Sequence, residues 1–252
     1  MARKQRLNQI VSAVIDAGSI EVATLAKRFA VSEATIRRDL ELLEEQRLIS
    51  RTHGGASTNA AFNDFPLNYK TAQDLEEKRR IAERALRFLD GARVIGMTGG
   101  TTVTEFARLL KDREGLTIVT NALNIATNLL SSPSLRVFVA GGEARSSSQE
   151  TVGPMAEAFL ADYNIDVAFL GVDGVDPAAG CTNYDPIGAR VNGVLQDRAR
   201  LTVVLADATK IAKVALAQVC AISEVDVLIT DSRAPQQILD QIRERGCEVI
   251  CV

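Results

Sequence analysis

Apolar residues at the N-terminal end of the chain recur every three or four positions, which is typical of helices that bury one face. The repeat predicts a first helix over residues 3–17, ended by Gly18, and a second helix over 22–29. The apolar positions behind these two helices are Leu7, Ile10, Val11, Val14, Ile15, Leu25, Ala26 and Phe29.

A third helix is predicted after a short turn at 30–32. Ser32 is a suitable N-cap, because its hydroxyl can accept a hydrogen bond from an N–H of the first turn. Residues 48–52 then predict a short strand that leads to a hairpin tip at Gly54-Gly55. Together these elements predict a winged helix-turn-helix. The inner face of the third helix consists of Ile36, Leu40 and Leu43.

The pattern changes after residue 91, where short apolar strands alternate with helices. Alternation of this kind predicts an α/β unit with a mainly parallel sheet that is covered on both faces. The predicted strands are 94–97, 117–120, 136–140, 167–171, 202–206, 225–230 and 248–251, and the predicted helices are 102–110, 124–130, 155–160, 187–198 and 235–245.

These patterns divide the chain into three parts. Residues 1–58 are predicted to be a DNA-binding domain, 59–74 a linker, and 75–252 an α/β domain that begins with a charged helix over about 75–89. The first 58 residues carry nine Lys/Arg and seven Asp/Glu, whereas the remainder carries 20 and 25. A weakly basic head on an acidic body is the distribution expected of a small nucleic-acid module attached to a domain that does not contact phosphates.

Composition excludes several classes of protein. Of the 252 residues 46% are hydrophobic, yet no apolar run approaches the roughly 18 residues of a membrane span. The basic N-terminus is not followed by the apolar segment of a signal peptide, so we expect a cytoplasmic protein with no membrane partner. The four cysteines form no C-x-x-C pair and the one histidine is remote in sequence. We therefore expect buried thiols and neither a metal site nor a cofactor.

The start of the third helix is the predicted base-reading surface, because a recognition helix places its N-terminal side chains in the major groove. Residues of the hairpin would contact the DNA backbone or the minor groove. The predicted DNA-binding residues are Ser32, Glu33, Thr35, Arg37, Arg38, Arg51, Thr52, His53 and Gly54. Two arginines cannot specify an operator alone, so a dimer on two half-sites is expected.

An alternative for this region is a solvated helix face in which Arg37 and Arg38 pair with Asp39 and Glu41. His53 alone is equally compatible with a solvated turn residue. From charge alone the two interpretations of the arginines are even, and the preceding helix, the serine cap and the following hairpin favour the DNA-reading one.

The segments Val31–Leu40 and Arg51–Ala56 resemble the signature of the DeoR family of bacterial transcription regulators, and the likeness extends over nearly the whole chain. The resemblance implies an N-terminal winged helix-turn-helix and a sensor domain similar to ribose-5-phosphate isomerase. It also implies a phosphorylated sugar or related metabolite as effector and repression of catabolic operons. Reading two half-sites predicts a homo-oligomer, either a dimer or a tetramer. Ala30 and Arg47 stand at turn positions where the family often has glycine.

Residues 97–102 lie between a predicted strand and a predicted helix. Glycines there expose successive N–H groups, and the helix N-terminus and threonine hydroxyls add donors, so the loop can hold an anion. An ordinary tight turn is the alternative, and the family resemblance favours a phosphate role. It also implies further pocket residues on neighbouring loops. The predicted effector-binding residues are Thr98, Gly99, Gly100, Thr101, Thr102, Asn121, Gly141, Asp173, Gly174 and Lys210.

Two departures from the family pattern lie in this region. Many members have an acidic residue near the start of the first loop, where this chain has Thr98 and Gly99. The family also often has an acidic residue where this chain has Gly188. Both changes bear on how ligand hydroxyls would be contacted.

The sequence therefore predicts a DNA-binding repressor that a sugar phosphate controls, with no catalytic residues. The alternative is a sugar-phosphate isomerase fused to a DNA-binding head, with Asp173 and Lys210 as candidate acid–base groups. No carboxylate stands at Gly188, so a pocket that binds without catalysis is the simpler interpretation. Activation of transcription would leave the same sequence pattern as repression.

Overall fold

The computed structural model describes residues 3–45, 48–57, 67 and 74–252, apart from the side chains of Lys4, Gln5, Ser12, Ile15 and Asp16. The chain forms two compact units, residues 1–73 and 74–252, which we call the head and the body. Most of the predicted linker and Arg47 lie outside the described residues, so the predicted domain limits stay predictions.

The head has the predicted order of helices, and the first two have the predicted bounds. A small antiparallel sheet of order β1-β3-β2 completes it. Its elements are α1 (Arg3–Ala17), β1 (Ser19–Glu21), α2 (Val22–Phe29), α3 (Glu33–Glu45), β2 (Ser50–Arg51) and β3 (Gly55–Ser57). The short β1 and β3 were not predicted, because three-residue strands carry too little alternation to be recognised.

The three helices of the head share one apolar core, in which Ile10, Leu25 and Ile36 are fully buried. Each such side chain contributes about 2 kcal/mol by leaving water. Asp39 is also buried on the inner side of α3, where it accepts hydrogen bonds from Arg6 at 2.7 Å and Arg3 at 3.3 Å. These ion pairs fasten the start of α1 to α3.

The body alternates strands and helices from end to end. Its helices are α4 (Leu75–Ala85), α5 (Thr101–Arg108), α6 (Leu123–Leu129), α7 (Pro154–Ala161), α8 (Pro186–Asp197) and α9 (Gln236–Glu244). Its strands are β4 (Val94–Met97), β5 (Thr117–Thr120), β6 (Arg136–Val139), β7 (Glu143–Arg145), β8 (Glu150–Val152), β9 (Ile165–Leu170), β10 (Gly174–Asp176), β11 (Gly180–Asn183), β12 (Ala199–Leu205), β13 (Ala217–Cys220), β14 (Val227–Thr230) and β15 (Glu248–Cys251).

Seven strands form a parallel sheet of order β15-β14-β12-β9-β4-β5-β6. Successive residues of β9 alternate between two apolar clusters, with Val167 and Phe169 in one and Ala168 and Leu170 in the other. The sheet is therefore covered on both faces, which confirms the predicted α/β fold. The order reverses between β4 and β9, and a crevice opens at the carboxyl ends of strands where such a reversal occurs.

Two small antiparallel sheets were not predicted, β7-β8 and β10-β11-β13. Their strands have three or four residues and contain glycine and charged positions, so they lack the apolar runs that reveal the central strands. Predicted bounds of the central strands were close, although β9 and β12 begin earlier than predicted, at Ile165 and Ala199.

The expectation of buried thiols holds for Cys181, Cys220 and Cys247, but it is wrong for Cys251, which is exposed near the C-terminus. The described part of the chain has no group of three or more His, Cys, Asp or Glu residues arranged to hold a metal ion. Within the same residues, no helix is both long and apolar enough to cross a membrane.

Candidate nucleic-acid interface and ligand site

The first turn of α3 has the predicted cap. Ser32 Oγ accepts a hydrogen bond from the Thr35 N–H at 3.2 Å and lies 2.9 Å from Thr35 Oγ1. The Ser32 carbonyl also accepts from the Ile36 N–H at 3.1 Å. The helix therefore begins at a fixed position, and its outward side chains start from a defined backbone.

The two arginines of α3 are exposed and differ in their contacts. Arg37 lies 3.4 Å from Glu33, one turn away, with both side chains about half exposed. Arg38 makes no ion pair with any described residue. Because exposed pairs of this kind contribute well under about 1 kcal/mol, both guanidinium groups can turn toward another molecule.

The predicted alternative pairing with Asp39 and Glu41 is wrong in its partners. Asp39 is buried against α1, and Glu41 lies 3.2 Å from Arg51 of the hairpin. Asp39 is one or two positions from the arginines and points in a different direction, whereas Glu41 is within one turn of both but is paired with Arg51. Neither Asp39 nor Glu41 therefore compensates the two arginines.

The hairpin after β2 is held against the rest of the head by its backbone. The Arg51 N–H donates to Glu44 at 2.9 Å, and the Thr52 N–H donates to the Gly55 carbonyl at 3.0 Å. The Gly54 carbonyl accepts from the Val22 N–H at 2.9 Å, at the start of α2. The side chain of His53 is exposed at the tip.

The residues predicted for the ligand site all follow strands of the parallel sheet at its carboxyl edge. Two of these segments flank the strand-order reversal, residues 98–102 after β4 and 171–174 after β9, and we call them the switch-point loops. Asn121 follows β5, Gly141 follows β6, and Lys210 ends a short 3-10 helix after β12. The topology thus brings the ten predicted positions into one row.

Direct bonds join the switch-point loops. The Thr98 N–H donates to the Phe169 carbonyl at 3.2 Å, and Thr98 Oγ1 accepts from the Gly171 N–H at 2.9 Å. A Cβ at Gly171 would overlap the Gly99 carbonyl oxygen, so the loops can approach this closely only with glycine there. Thr98 is fully buried, and its side chain holds the loops together instead of facing a ligand.

The start of α5 offers N–H groups to an anion. Among the described residues, no hydrogen bond from the N–H groups of Gly100, Thr101 and Thr102 to a backbone acceptor is found, whereas the Thr104 N–H bonds to Gly100 at 2.9 Å. Unpaired donors at a helix N-terminus, with the partial positive charge of the helix, favour an anion. Thr101 is half-buried and Thr102 is buried, so this N-terminus lies in a recess.

The remaining predicted positions lie on neighbouring loops. The Asp173 carboxylate accepts from the Tyr184 N–H at 3.3 Å, and the Asp173 N–H donates to the Thr182 carbonyl at 3.0 Å. Half-buried Lys210 precedes Ile211, which bridges Val175 beside Gly174. Gly141 is exposed at the end of the row, two strands from the reversal.

Sequence reasoning missed Glu150, the first residue of β8. Its Oε1 accepts from the Gly99 N–H at 2.8 Å and lies 3.4 Å from Asn121 Nδ2. Burial raises the pKa of the Glu150 carboxyl, an effect that the Gly99 N–H partly offsets and the nearby Asp173 charge reinforces. No sequence pattern marked this residue, because its contact spans 51 positions and depends on the unpredicted β7-β8 hairpin.

A separate groove of about 790 Å³ lies along α6 and the turn after β7. Lys111, Asn124, Arg145 and Gln149 are among its lining residues, and it includes none of the ten predicted effector-binding positions. The groove and the switch-point loops are therefore distinct features of the body.

Comparison with known proteins covers both units. Residues 6–61 match the model of the DeoR-like helix-turn-helix domain, and residues 73–232 match that of the DeoR C terminal sensor domain. The glycerol-3-phosphate regulon repressor of Escherichia coli strain K12 is 31% identical, over 99% of both chains. The HTH-type transcriptional regulator GlpR of Haloferax volcanii is 33% identical, over 99% of this chain and 98% of its own.

Among solved structures, ribose 5-phosphate isomerase A from Neisseria gonorrhoeae is similar with a TM-score of 0.40 and 20% identity, over 57% of this chain and 56% of that one. This likeness is too low to bear on function. The family matches and the full-length relatives place the chain among regulators and not among enzymes, so the isomerase alternative is set aside. The chain belongs to the DeoR family of transcriptional regulators.

Proposed function

We propose that this regulator is a cytoplasmic repressor of a sugar or carbohydrate catabolic operon, and that a phosphorylated sugar bound at the switch-point loops controls its affinity for operator DNA. The observation that carries the proposal is the start of α5, where N–H groups in a recess at the strand-order reversal match a phosphate. The relative named as a glycerol-3-phosphate regulon repressor supports a phosphate ester as effector.

On the DNA side, α3 enters the major groove of double-stranded operator DNA. Arg38 and Arg37 donate to guanine edges or phosphates, while Ser32, Glu33 and Thr35 contact bases or backbone near the helix start. Arg51, Thr52, His53 and Gly54 of the hairpin lie along the DNA backbone. A homo-oligomer, dimer or tetramer, reads two half-sites, because one such helix contacts too few bases to specify an operator.

On the effector side, the phosphate occupies the N–H groups of Gly100, Thr101 and Thr102, and Lys210 adds a positive charge. Asn121, Asp173 and Gly174 line the neighbouring loops, with Thr98, Gly99 and Gly141 shaping them. A sugar phosphate that weakens operator binding must itself bind more weakly to the DNA-bound form, because the coupling free energy is shared.

The DNA half of the proposal is tested with Arg38→Ala in the full chain, on DNA selected for binding from a random pool. Loss of a base contact is expected to weaken binding by about 1–3 kcal/mol on the selected sequence. If Arg38 contacts only a phosphate, affinity falls equally on all sequences and the salt slope flattens by about one. Arg243→Ala, a surface arginine of α9, is the matched control.

The arginine assignment is wrong if Arg38→Ala and Arg37→Ala both bind the selected DNA as the parent does. The effector half is tested by titrating the protein–DNA complex with a panel of sugar phosphates and with their unphosphorylated sugars. At least one phosphate ester is expected to change the affinity, and its parent sugar is not. Unchanged affinity with every ester at saturation would contradict effector control.

A further inference from the structure

Glu150 is held beside the proposed phosphate site by the backbone on both sides of it. The Gln149 carbonyl accepts from the Leu123 N–H at 2.8 Å, and the Thr151 N–H donates to the Asn121 carbonyl at 2.8 Å. These two bonds fix β8 against the segment that follows β5. The Glu150 side chain therefore reaches Gly99 from a fixed backbone, which is the arrangement expected of a preorganised binding residue.

The backbone immediately before Glu150 is strained. Gln149 has a φ of +57°, in the left-handed region that residues other than glycine seldom adopt. Such a conformation costs of order 1 kcal/mol or more and persists only where the surroundings impose it, often at ligand sites. The turn from Arg145 to Glu150 is thus shaped to place this carboxylate.

Gly99 is matched to Glu150. A Cβ at Gly99 would lie 2.6 Å from Glu150 Cδ and 2.7 Å from Oε1, so any side chain there would displace the carboxylate. The glycine at this position therefore admits a carboxylate that β8 supplies.

The groups around Glu150 can accept hydrogen bonds from a ligand. Burial raises the pKa of the Glu150 carboxyl, and the Asp173 charge adds to this, although hydrogen bonds from the Gly99 N–H and from Ser148 lower it. Asn121 is buried, and its Oδ1 has no donor among the described residues. Hydroxyl groups of a ligand would supply such donors, whereas the start of α5 needs an acceptor.

We propose that Glu150 is the specificity-determining residue of the sensor pocket, and that it selects phosphate esters that carry free hydroxyl groups by accepting a hydrogen bond from one of them. This inference rests on the proposed function for the phosphate position. The oxygen of Asn121 is placed to accept from a second hydroxyl.

The test compares four full-length proteins by calorimetric titration: the parent chain, Glu150→Gln, Glu150→Ala and the control Glu143→Gln, which removes one exposed charge from the same hairpin. The probes are methyl phosphate, glycerol 3-phosphate and ribose 5-phosphate. The parent is expected to prefer a hydroxylated ester over methyl phosphate. Glu150→Gln should reduce that preference, the ratio of the two affinities, by roughly tenfold or more.

The control Glu143→Gln should keep the parent's preference, and Glu150→Ala should lose it as Glu150→Gln does. If Glu150→Gln instead strengthens binding of all three probes equally, Glu150 is an internal competitor for the phosphate site and the proposal is overturned. An unchanged preference in Glu150→Gln overturns it as well, as does a parent that binds none of the esters.

Operator binding, measured in parallel, separates this inference from the proposed function. If the preference depends on Glu150 but no ester alters operator affinity, the assignment of the ligand site is supported and effector control of DNA binding is contradicted. If esters alter operator affinity while the preference is independent of Glu150, the proposed function is supported and Glu150 has no role in ligand selection.

Discussion

Two helix N-termini carry the proposed chemistry, and they differ in what they expose. The start of α3 presents long side chains, Arg37 and Arg38, on an exposed surface with weak contacts around them. The start of α5 presents backbone N–H groups in a recess, beside loops whose bonds and glycines fit one another closely. In α3 the serine cap satisfies an N–H of the first turn, whereas in α5 the first N–H groups stay available to a ligand.

The difference matches the size of the partner each would bind. DNA is large and convex, so the head can read it with side chains that contribute little to folding. A small phosphate ester must be enclosed, and the proposed site in the body would be formed from backbone that the fold itself requires. Substitution of Arg37 or Arg38 should therefore change DNA binding without changing stability, whereas substitutions in the switch-point loops should change both ligand binding and stability.

The largest expected effect comes from Gly171→Ala in the body. The new methyl group would overlap the Gly99 carbonyl and separate the two loops, which is expected to cost about 3 kcal/mol or more of the free energy of unfolding. Thermal unfolding followed by circular dichroism measures the loss. Gly141→Ala is the control, because an added Cβ there meets no atom within 4 Å, and an equal loss in both variants would contradict the account.

Asp39→Asn tests how strongly the buried contact of α1 with α3 stabilises the head. The amide leaves Arg6, whose side chain is only 12% exposed, without its anionic partner. We expect a loss of about 2–3 kcal/mol in the local stability of α1 and α3. Hydrogen exchange of the full chain should show faster exchange in these helices and unchanged exchange in the body.

The matched control for Asp39→Asn is Glu33→Gln, which removes the exposed partner of Arg37 on the same helix. Its effect on exchange should lie within about 0.5 kcal/mol. If the two substitutions change hydrogen exchange in α1 and α3 by the same amount, the buried contact of α1 with α3 is not what stabilises the head.

The pH dependence of stability tests the contacts that Asp231 makes in the loops of the body. Its burial raises the carboxyl pKa, but hydrogen bonds from Arg233 at 2.7 Å and the Ala208 N–H at 2.7 Å outweigh burial and lower it below 3.8. Stability from this group is therefore full above pH 3.8 and is lost as the pH falls through the lowered value.

Asp231→Asn is expected to lose about 1–2 kcal/mol at pH 7 and to depend less on pH than the parent in acid. Urea unfolding at pH 7 and at successively lower pH compares the two proteins. If the free energy of unfolding of both proteins falls in parallel as the pH is lowered, the Asp231 carboxylate does not stabilise the segment around Ala208.

The smallest expected effect is a gain in the head. Ala30 follows α2 with a φ of +53°, in the left-handed region where glycine has no steric cost. Ala30→Gly should therefore stabilise α2 by up to about 1 kcal/mol. Ala34→Gly, within α3, should instead cost about 1 kcal/mol, and hydrogen exchange of both variants checks the opposite signs.

Much of this architecture could be predicted from the sequence, because apolar periodicity marks long elements and buried strands clearly. The helix cap at Ser32 and the loop at 98–102 follow from local residue types, which is why their positions were right. The roles predicted for these residues in binding stay predictions.

The contacts that the sequence did not reveal are distant in the chain. Asp39 looked like a surface partner of the arginines, and only the packing of α1 against α3 shows it to be buried. Glu150 reaches Gly99 through a hairpin of three-residue strands, too short to carry a pattern. Residues that act across such distances become visible only when the fold brings them together.

The measurement that tests the central claim most directly is the affinity of the effective sugar phosphate for the free protein and for the protein saturated with operator DNA. The account predicts weaker binding to the DNA-bound form, by the same factor by which the ester weakens operator binding. Equal affinity for both forms would show that occupancy of the switch-point loops does not control DNA binding, because a ligand that binds two states equally shifts neither.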